Sequence, residues 1–172
     1  MKRGVVVLGV CAALAAAWLI WIDARYQEQM ELGKRNLASH AMKEAAGEVD
    51  RRFKEAVVML HAKRYENAIK SLHRVLEINP NMPEAYANMG FALLGLEDYR
   101  VARDFFEGAI ELRTTQTNAY FGLGEALIGL NDLEGALGAM RAYVHLVKPD
   151  DPFAAKATAR IDELNAQLGR SK

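Results

Sequence analysis

Hydrophobic residues of this chain form one continuous run followed by a periodic pattern. The run begins at Val5 and ends at Ile22 without a charged residue. From about residue 49 onward, apolar residues recur three or four positions apart among charged ones, the spacing of amphipathic helices. A longer period is superimposed: residues 83–116 and 117–150 agree at ten of 34 aligned positions, where average residue usage gives about two. This period indicates a stack of helix pairs.

Small residues at fixed places in the period predict where helices touch. A glycine inside a helix costs about 1 kcal/mol relative to alanine, so Gly90 and Gly124 need a compensating role. We expect close backbone contact with small residues of the partner helices, Ala102 for Gly90 and Ala136 for Gly124.

Polar residues and prolines predict where the helices begin. Asp98 and Asp132 stand directly before predicted helices, where a carboxylate accepts otherwise unpaired amide protons. Pro83 suits the first turn of a helix, and Pro80 ends the helix before it.

The repeats resemble the tetratricopeptide family over about residues 49–168. In the second repeat the matching residues are Tyr86, Gly90, Leu93, Asp98, Ala102, Phe106 and Leu112. In the third they are Tyr120, Gly124, Leu127, Asp132, Ala136, Met140 and Leu146, and in the first Tyr65, Ala68, Leu72, Ile78 and Pro80. The resemblance implies an all-α, right-handed solenoid of about three helix pairs, with repeats near 49–82, 83–116 and 117–150. The opening helix of the first repeat departs from the pattern, and its turn at 62–64 is expected to be one residue short.

A last helix is predicted at 152–168, before a short tail at 169–172. Its apolar residues share one face: Phe153, Ala157, Ile161, Leu164 and Leu168. A solenoid needs such a cap because its final repeat otherwise exposes an apolar side.

The N-terminal segment, residues 1–23, is predicted to be a transmembrane signal-anchor. Eighteen uncharged residues span about 27 Å as a helix, close to the hydrocarbon thickness of a bilayer. The alternative is a cleaved secretory signal, for which Ala15, Ala16 and Ala17 offer small residues. Lys2 and Arg3 favour a cytoplasmic N-terminus. In a bacterium the chain would then cross the inner membrane once and place its repeats in the periplasm.

Residues 24–48 lack proline and carry a thin apolar stripe among many charges. We interpret them as a solvated helical stalk. A self-associating coiled coil would need a stronger heptad pattern.

Composition removes several classes of function. The 22 basic and 22 acidic residues cancel, and without Lys2 and Arg3 the balance becomes 20 to 22, or −2. This gives no electrostatic footprint for nucleic acid. His40, His61, His73 and His145 lie in different predicted helices, and neither a catalytic motif nor a phosphate loop is present. We therefore expect no enzymatic activity, cofactor, metal site or small-molecule substrate.

Binding is expected on the concave surface, which the resemblance assigns to the first helix of each pair. The outward positions of that helix are Ala87, Phe91 and Leu94 in the second repeat and Phe121, Glu125 and Ile128 in the third. In the first repeat they would be Lys54, Val58 and His61. The alternative is that Phe91 and Phe121 pack under the N-terminal helix or the cap.

Some members of the family bind terminal carboxylates through a clamp of lysine, asparagine and arginine. Lys54 and Asn88 could fill two places of that clamp. The others hold Val58, Asn118 and Gly122, so we do not expect that ligand.

Two functions remain open after the sequence. The first is a membrane-tethered adaptor or assembly factor for an envelope or membrane complex, whose groove binds a segment of a partner protein. The second is a permanent structural accessory subunit of a larger membrane complex, mildly favoured by the small residues of the apolar run.

Overall fold

Within the described residues the chain is all-helical. The computed structural model describes residues 2–148 and 150–170, with side chains described from residue 17 onward. The helices are α1 (Lys2–His61), α2 (Tyr65–Ile78), α3 (Pro83–Gly95), α4 (Tyr99–Leu112), α5 (Thr117–Gly129), α6 (Leu133–Leu146) and α7 (Ala154–Gln167).

The chain divides into two compact units, Met1–Ala46 and Gly47–Lys172. In the first unit α1 exposes Trp18 and Trp21. Within the described residues, no helix is both long and apolar enough to span a bilayer. Most of the predicted anchor, residues 5–16, lies outside the described side chains, so the anchor stays a prediction.

In the second unit the helices pack in chain order, as in a solenoid. Contacts join α2 to α3, α3 to α4, α4 to α5, α5 to α6 and α6 to α7. The end of α1 joins the stack through Ala56, which is fully buried with Leu72 and Val75 of α2. A further contact joins α3 to α5, so the first helices of successive pairs lie side by side and form one continuous face.

Three equivalent turns connect the two helices of each pair. Each turn has three residues, 62–64, 96–98 and 130–132. The middle residue of each has a positive φ: 57° at Lys63, 61° at Glu97 and 60° at Asn131. The expectation of a shorter first turn is therefore wrong. The 34-residue period extends back into α1 without a shift.

The predicted helix starts are confirmed. The Asp98 carboxylate accepts a hydrogen bond from the Val101 N–H at 3.4 Å, and that of Asp132 accepts one from the Gly135 N–H at 2.9 Å. Pro83 is the first residue of α3. Capping of this kind satisfies amide protons that the helix itself cannot.

The nearest neighbours of the helix glycines are larger than the alanines predicted as their partners. A Cβ placed on Gly90 would lie 2.7 Å from Cε1 of Phe106, and one on Gly124 would lie 2.7 Å from Cε of Met140. The nearest atoms thus belong to large side chains one helical turn beyond Ala102 and Ala136. Glycine at these places makes room for a ring or a thioether, which fills the space between helices to core density.

The cap packs on α6 as expected, except at its start. Ala157 and Leu164 are buried in a cluster with α5 and α6, while Ile161 and Leu168 are partly buried against it. The side chain of Phe153 is instead 54% exposed, because it lies before α7 at the edge of the face formed by α3 and α5.

Candidate binding groove

Five of the six residues predicted from the second and third repeats line one cavity. This cap-side cavity has a volume of about 450 Å³. It is lined by Phe91, Leu94, Tyr99, Phe121, Glu125, Ile128, Gly129 and Lys156. The sixth residue, Ala87, is fully buried in the cluster around Phe106. Its assignment to the binding surface is therefore corrected to the core.

The first repeat contributes to a second cavity, the central cavity, of about 350 Å³. Its lining residues are Val57, Leu60, His61, Tyr65, Asn88, Phe91, Asn118 and Phe153. Of the three positions predicted here, only His61 is among them. Lys54 pairs with Asp50 at 2.7 Å, and Val58 is exposed outside the cavity. The period extends into α1, so the true equivalents of Phe91 and Leu94 are Val57 and Leu60.

The two phenylalanines of the groove have different surroundings. The Phe91 ring is half-buried and meets Phe106 edge-on, with centroids 5.0 Å apart. Phe121 is only 9% exposed and packs against Tyr143 at 5.4 Å and Phe153 at 6.0 Å. Phe121 therefore packs beneath the cap, whereas part of the Phe91 ring remains accessible in the groove.

Lys156 of α7 and Glu125 of α5 form the charged wall of the cap-side cavity, and Arg160 of α7 binds Glu125 from beside it. The Arg160 guanidinium donates to both carboxylate oxygens of Glu125, at 3.2 and 3.3 Å, and to Glu163 at 2.9 Å. Hydrogen bonds to Glu163 and then Glu125 raise the pKa of Arg160 above its usual value. The Lys156 ammonium lies 4.9 Å from the centroid of Phe121 and 4.0 Å from Glu125.

A buried hydroxyl fixes the chain just before the cap. Tyr143 donates to Oδ1 of Asp151 at 2.6 Å, and the same oxygen accepts the Phe153 N–H at 2.9 Å. Burial, followed by this hydrogen bond, raises the pKa of the Tyr143 hydroxyl far above its usual range. The hydroxyl therefore stays protonated and keeps Phe153 at the mouth of the groove.

A third, smaller cavity lies behind Phe153. This aromatic pocket has a volume of about 130 Å³ and is lined by Phe91, Asn118, Phe121, Tyr143 and Phe153. Four of its five lining residues are aromatic. Phe91, Asn118 and Phe153 also line the central cavity, so the pocket opens from the groove.

Sequence comparison identifies the repeats. A TPR-repeat model matches residues 62–96, and a tetratricopeptide-repeat model matches residues 88–155. The chain contains tetratricopeptide repeats. No curated protein matches it.

Several solved structures show the same fold. One is the first TPR of Spaghetti (RPAP3) bound to an HSP90 peptide, with 21% identity, a TM-score of 0.66 and coverage of 72% of this chain and 94% of that one. Another is the type III secretion translocator chaperone SycD of Yersinia enterocolitica, with 13% identity, a TM-score of 0.66 and coverage of 70% and 93%. The TPR2B domain of yeast Sti1 in complex with an Hsp70 ligand has 19% identity, a TM-score of 0.65 and coverage of 70% and 98%. At these identities the likeness concerns the fold.

The described residues of the groove form three cavities but no cluster of metal ligands. Across the described part of the chain, no three His, Cys, Asp or Glu side chains are arranged to bind a metal ion. Sequence reasoning missed several lining residues, among them Tyr65, Tyr99, Lys156 and Phe153. Tyr65 could have been found from the period, since it lies 34 residues before Tyr99. Lys156 and Phe153 lie outside the repeats, and their positions depend on how the cap folds back.

Proposed function

We propose that this protein is a membrane-tethered interaction module whose groove holds a segment of a partner protein, as an adaptor or assembly factor for a membrane or envelope complex. The observation that supports the proposal is the open groove along α1, α3 and α5. Its two larger cavities of about 450 and 350 Å³ are lined mainly by apolar and aromatic side chains. Concave surfaces of helical solenoids are suited to extended ligands of this kind.

Related folds are consistent with a polypeptide ligand. The Spaghetti and Sti1 domains are described as bound to an HSP90 peptide and in complex with an Hsp70 ligand. The groove of this chain differs in chemistry, because Lys54, the lysine at the clamp position of the first repeat, lies outside both larger cavities. A terminal carboxylate is therefore not the ligand that we propose.

Site-specific cross-linking tests the groove directly. A photoreactive amino acid replaces Asn118 or His61, both exposed and both lining the central cavity. The matched control position is Lys70, exposed on α2. We expect the same partner to be cross-linked from both groove positions in the native host and not from Lys70. Equal labelling from all three positions, or none from the groove, would contradict the proposal.

Tethering rests on the N-terminal sequence and on the residues that follow it. The uncharged run follows Lys2 and Arg3, and tryptophans are enriched where a helix leaves the bilayer. Trp18 and Trp21 are exposed, and the Arg25 guanidinium lies 5.5 Å from the centroid of the Trp21 ring. We propose a bacterial inner-membrane anchor with a cytoplasmic N-terminus and periplasmic repeats.

Fractionation tests the anchor. The full chain should remain with membranes through an alkaline carbonate wash, and protease added on the periplasmic side should digest the repeats. Recovery of a soluble protein that begins near Trp18 would instead establish cleavage of a secretory signal.

A permanent accessory subunit is the second candidate function. The apolar run contains small residues that permit close helix contacts in lipid, namely Gly9, Ala12, Ala13, Ala15, Ala16 and Ala17. Extraction in mild detergent distinguishes the two roles. A stoichiometric complex favours the accessory subunit, whereas substoichiometric, exchanging partners favour the adaptor.

A further inference from the structure

The aromatic pocket has features of a preformed site for one side chain. Its rings come from α3, α5, α6 and the segment before α7, and neighbours hold three of them. Phe91 rests on Phe106, Phe121 rests on Tyr143, and the backbone of Phe153 is bound by Asp151. Because these contacts lie within the protein itself, they hold the pocket walls in place, and fixed walls reduce the entropic cost of binding.

The volume of the pocket limits what can enter. About 130 Å³ corresponds to about four heavy atoms at the ~30 Å³ that each water molecule occupies in the liquid. The side chains of leucine, isoleucine and methionine each contain four heavy atoms and therefore match this volume. Asn118 supplies the polar edge of the pocket at its junction with the central cavity.

Charge further restricts the ligand. Aromatic walls can also bind a quaternary ammonium group, but the Lys156 ammonium already lies 4.9 Å from the centroid of Phe121 and would repel a cation. Glu125, the carboxylate in this wall, is bound at both oxygens by Arg160. Lys156 approaches it no closer than 4.0 Å and is 54% exposed. Lys156 is therefore a cation that a carboxylate of a bound partner can reach.

We propose that the aromatic pocket binds one aliphatic side chain of a partner polypeptide, and that Lys156 binds a carboxylate within about three residues of it in the same polypeptide. The inference rests on the proposed groove function and defines the chemistry of the segment. The recognition element is thus internal, an aliphatic residue next to aspartate or glutamate, and needs no free C-terminus.

Selection from random 12-residue peptides displayed on phage tests this inference, with the full chain in mild detergent as the target. Enriched peptides should share leucine, isoleucine or methionine within three positions of an acidic residue. Synthetic copies should bind Phe153→Ala about tenfold more weakly, the range for loss of an aromatic anchor. They should bind Lys156→Glu about fivefold more weakly, and a peptide with lysine in place of its acid should regain affinity for that variant.

Matched controls separate this inference from the general groove function. Leu146→Ala and Lys70→Glu alter an exposed leucine and an exposed lysine outside all three cavities, and both should bind peptide normally. Asn88→Arg and His61→Arg obstruct the central cavity but not the aromatic pocket. Circular dichroism verifies that each variant is folded.

The outcomes differ for the two proposals. One outcome is that enriched peptides lose affinity for Asn88→Arg and His61→Arg and still lack the aliphatic–acidic pair, or bind Phe153→Ala and Lys156→Glu normally. Such peptides would support the groove function and overturn the proposed role of the aromatic pocket. Enrichment of basic peptides would likewise overturn the pocket. If no peptide is enriched, or if binding is insensitive to every groove variant, both proposals are wrong.

Discussion

Substituting Gly90 by alanine should have opposite effects on stability depending on whether Phe106 is present. In the native chain the new Cβ would lie 2.7 to 2.9 Å from three atoms of the Phe106 ring, where carbon atoms prefer about 3.5–4.0 Å. The ring cannot simply move away, because it also fills the space beside Gly122 of α5. With Phe106→Ala the obstacle disappears, and only the helix preference for alanine remains.

The expected free energies follow from these contacts. Overpacking costs about 1–3 kcal/mol, and replacing glycine in a helix returns about 1 kcal/mol, so Gly90→Ala should lower the free energy of unfolding by about 1 kcal/mol. Phe106→Ala alone should lower it by about 3–5 kcal/mol, since the ring is fully buried. In that background Gly90→Ala should raise stability by about 1 kcal/mol. The coupling energy between the two sites is then about 2 kcal/mol.

Urea unfolding of the four proteins, followed by far-ultraviolet circular dichroism, measures this coupling. Gly138→Ala is the matched control, because that glycine lies within α6 and a Cβ there would have no neighbour within 4 Å. It should stabilise both backgrounds by the same amount, about 1 kcal/mol. If Phe106→Ala fails to fold, Phe106→Leu completes the cycle. A Gly90→Ala protein as stable as Gly138→Ala would refute the close contact between Gly90 and the ring.

Three further predictions concern the core and the cap. Ala102→Leu should destabilise by about 1–3 kcal/mol, because this fully buried alanine has no room for a larger side chain; an unchanged thermal midpoint would contradict its placement. Phe121→Ala should lower the free energy of unfolding by about 3–5 kcal/mol. Phe153→Ala should lower it by less than about 1 kcal/mol, since half of that side chain is already in water. Equal losses of stability in urea unfolding would show that the two rings are equally buried. Tyr143→Phe should cost about 0.5–1.5 kcal/mol at neutral pH by removing the hydrogen bond to Asp151. Because folding raises the pKa of Tyr143, its contribution is complete below the unfolded value of about 10 and declines as pH rises above it; unfolding curves that shift equally in both proteins above pH 10 would exclude this linkage.

The period of the sequence determined most of the fold. Identical residues 34 positions apart indicated the helix pairs, and Asp98 and Asp132 marked two helix starts correctly. The predicted groove positions of the first pair were wrong by one residue, because its turn shares no residue type with the other two turns. Lys63, Glu97 and Asn131 all adopt a positive φ, yet they have no side-chain chemistry in common.

The repeat period alone did not show whether a position of the first helix faces the groove or the core, because the size of the side chain also matters. Ala87 and Phe121 occupy equivalent positions, but the alanine ends in the core, whereas the phenylalanine extends to the cap. The aromatic pocket could not be predicted, because Phe153 lies outside the repeats and is held there by Asp151, which Tyr143 binds. Contacts of this kind between a repeat and a non-repeated segment leave no periodic pattern.

The ring of Phe106 has a consequence for cooperativity along the array. It fills space beside Gly90 in its own repeat and beside Gly122 in the next, so one side chain belongs to two repeats at once. In a nearest-neighbour description such a residue contributes to the coupling between repeats more than to the stability of either one. The equivalent positions one period later hold Met140 and Lys156, which cannot reproduce this junction. The second and third repeats are therefore not interchangeable, and duplicating either one would not extend the solenoid with an equally cooperative interface.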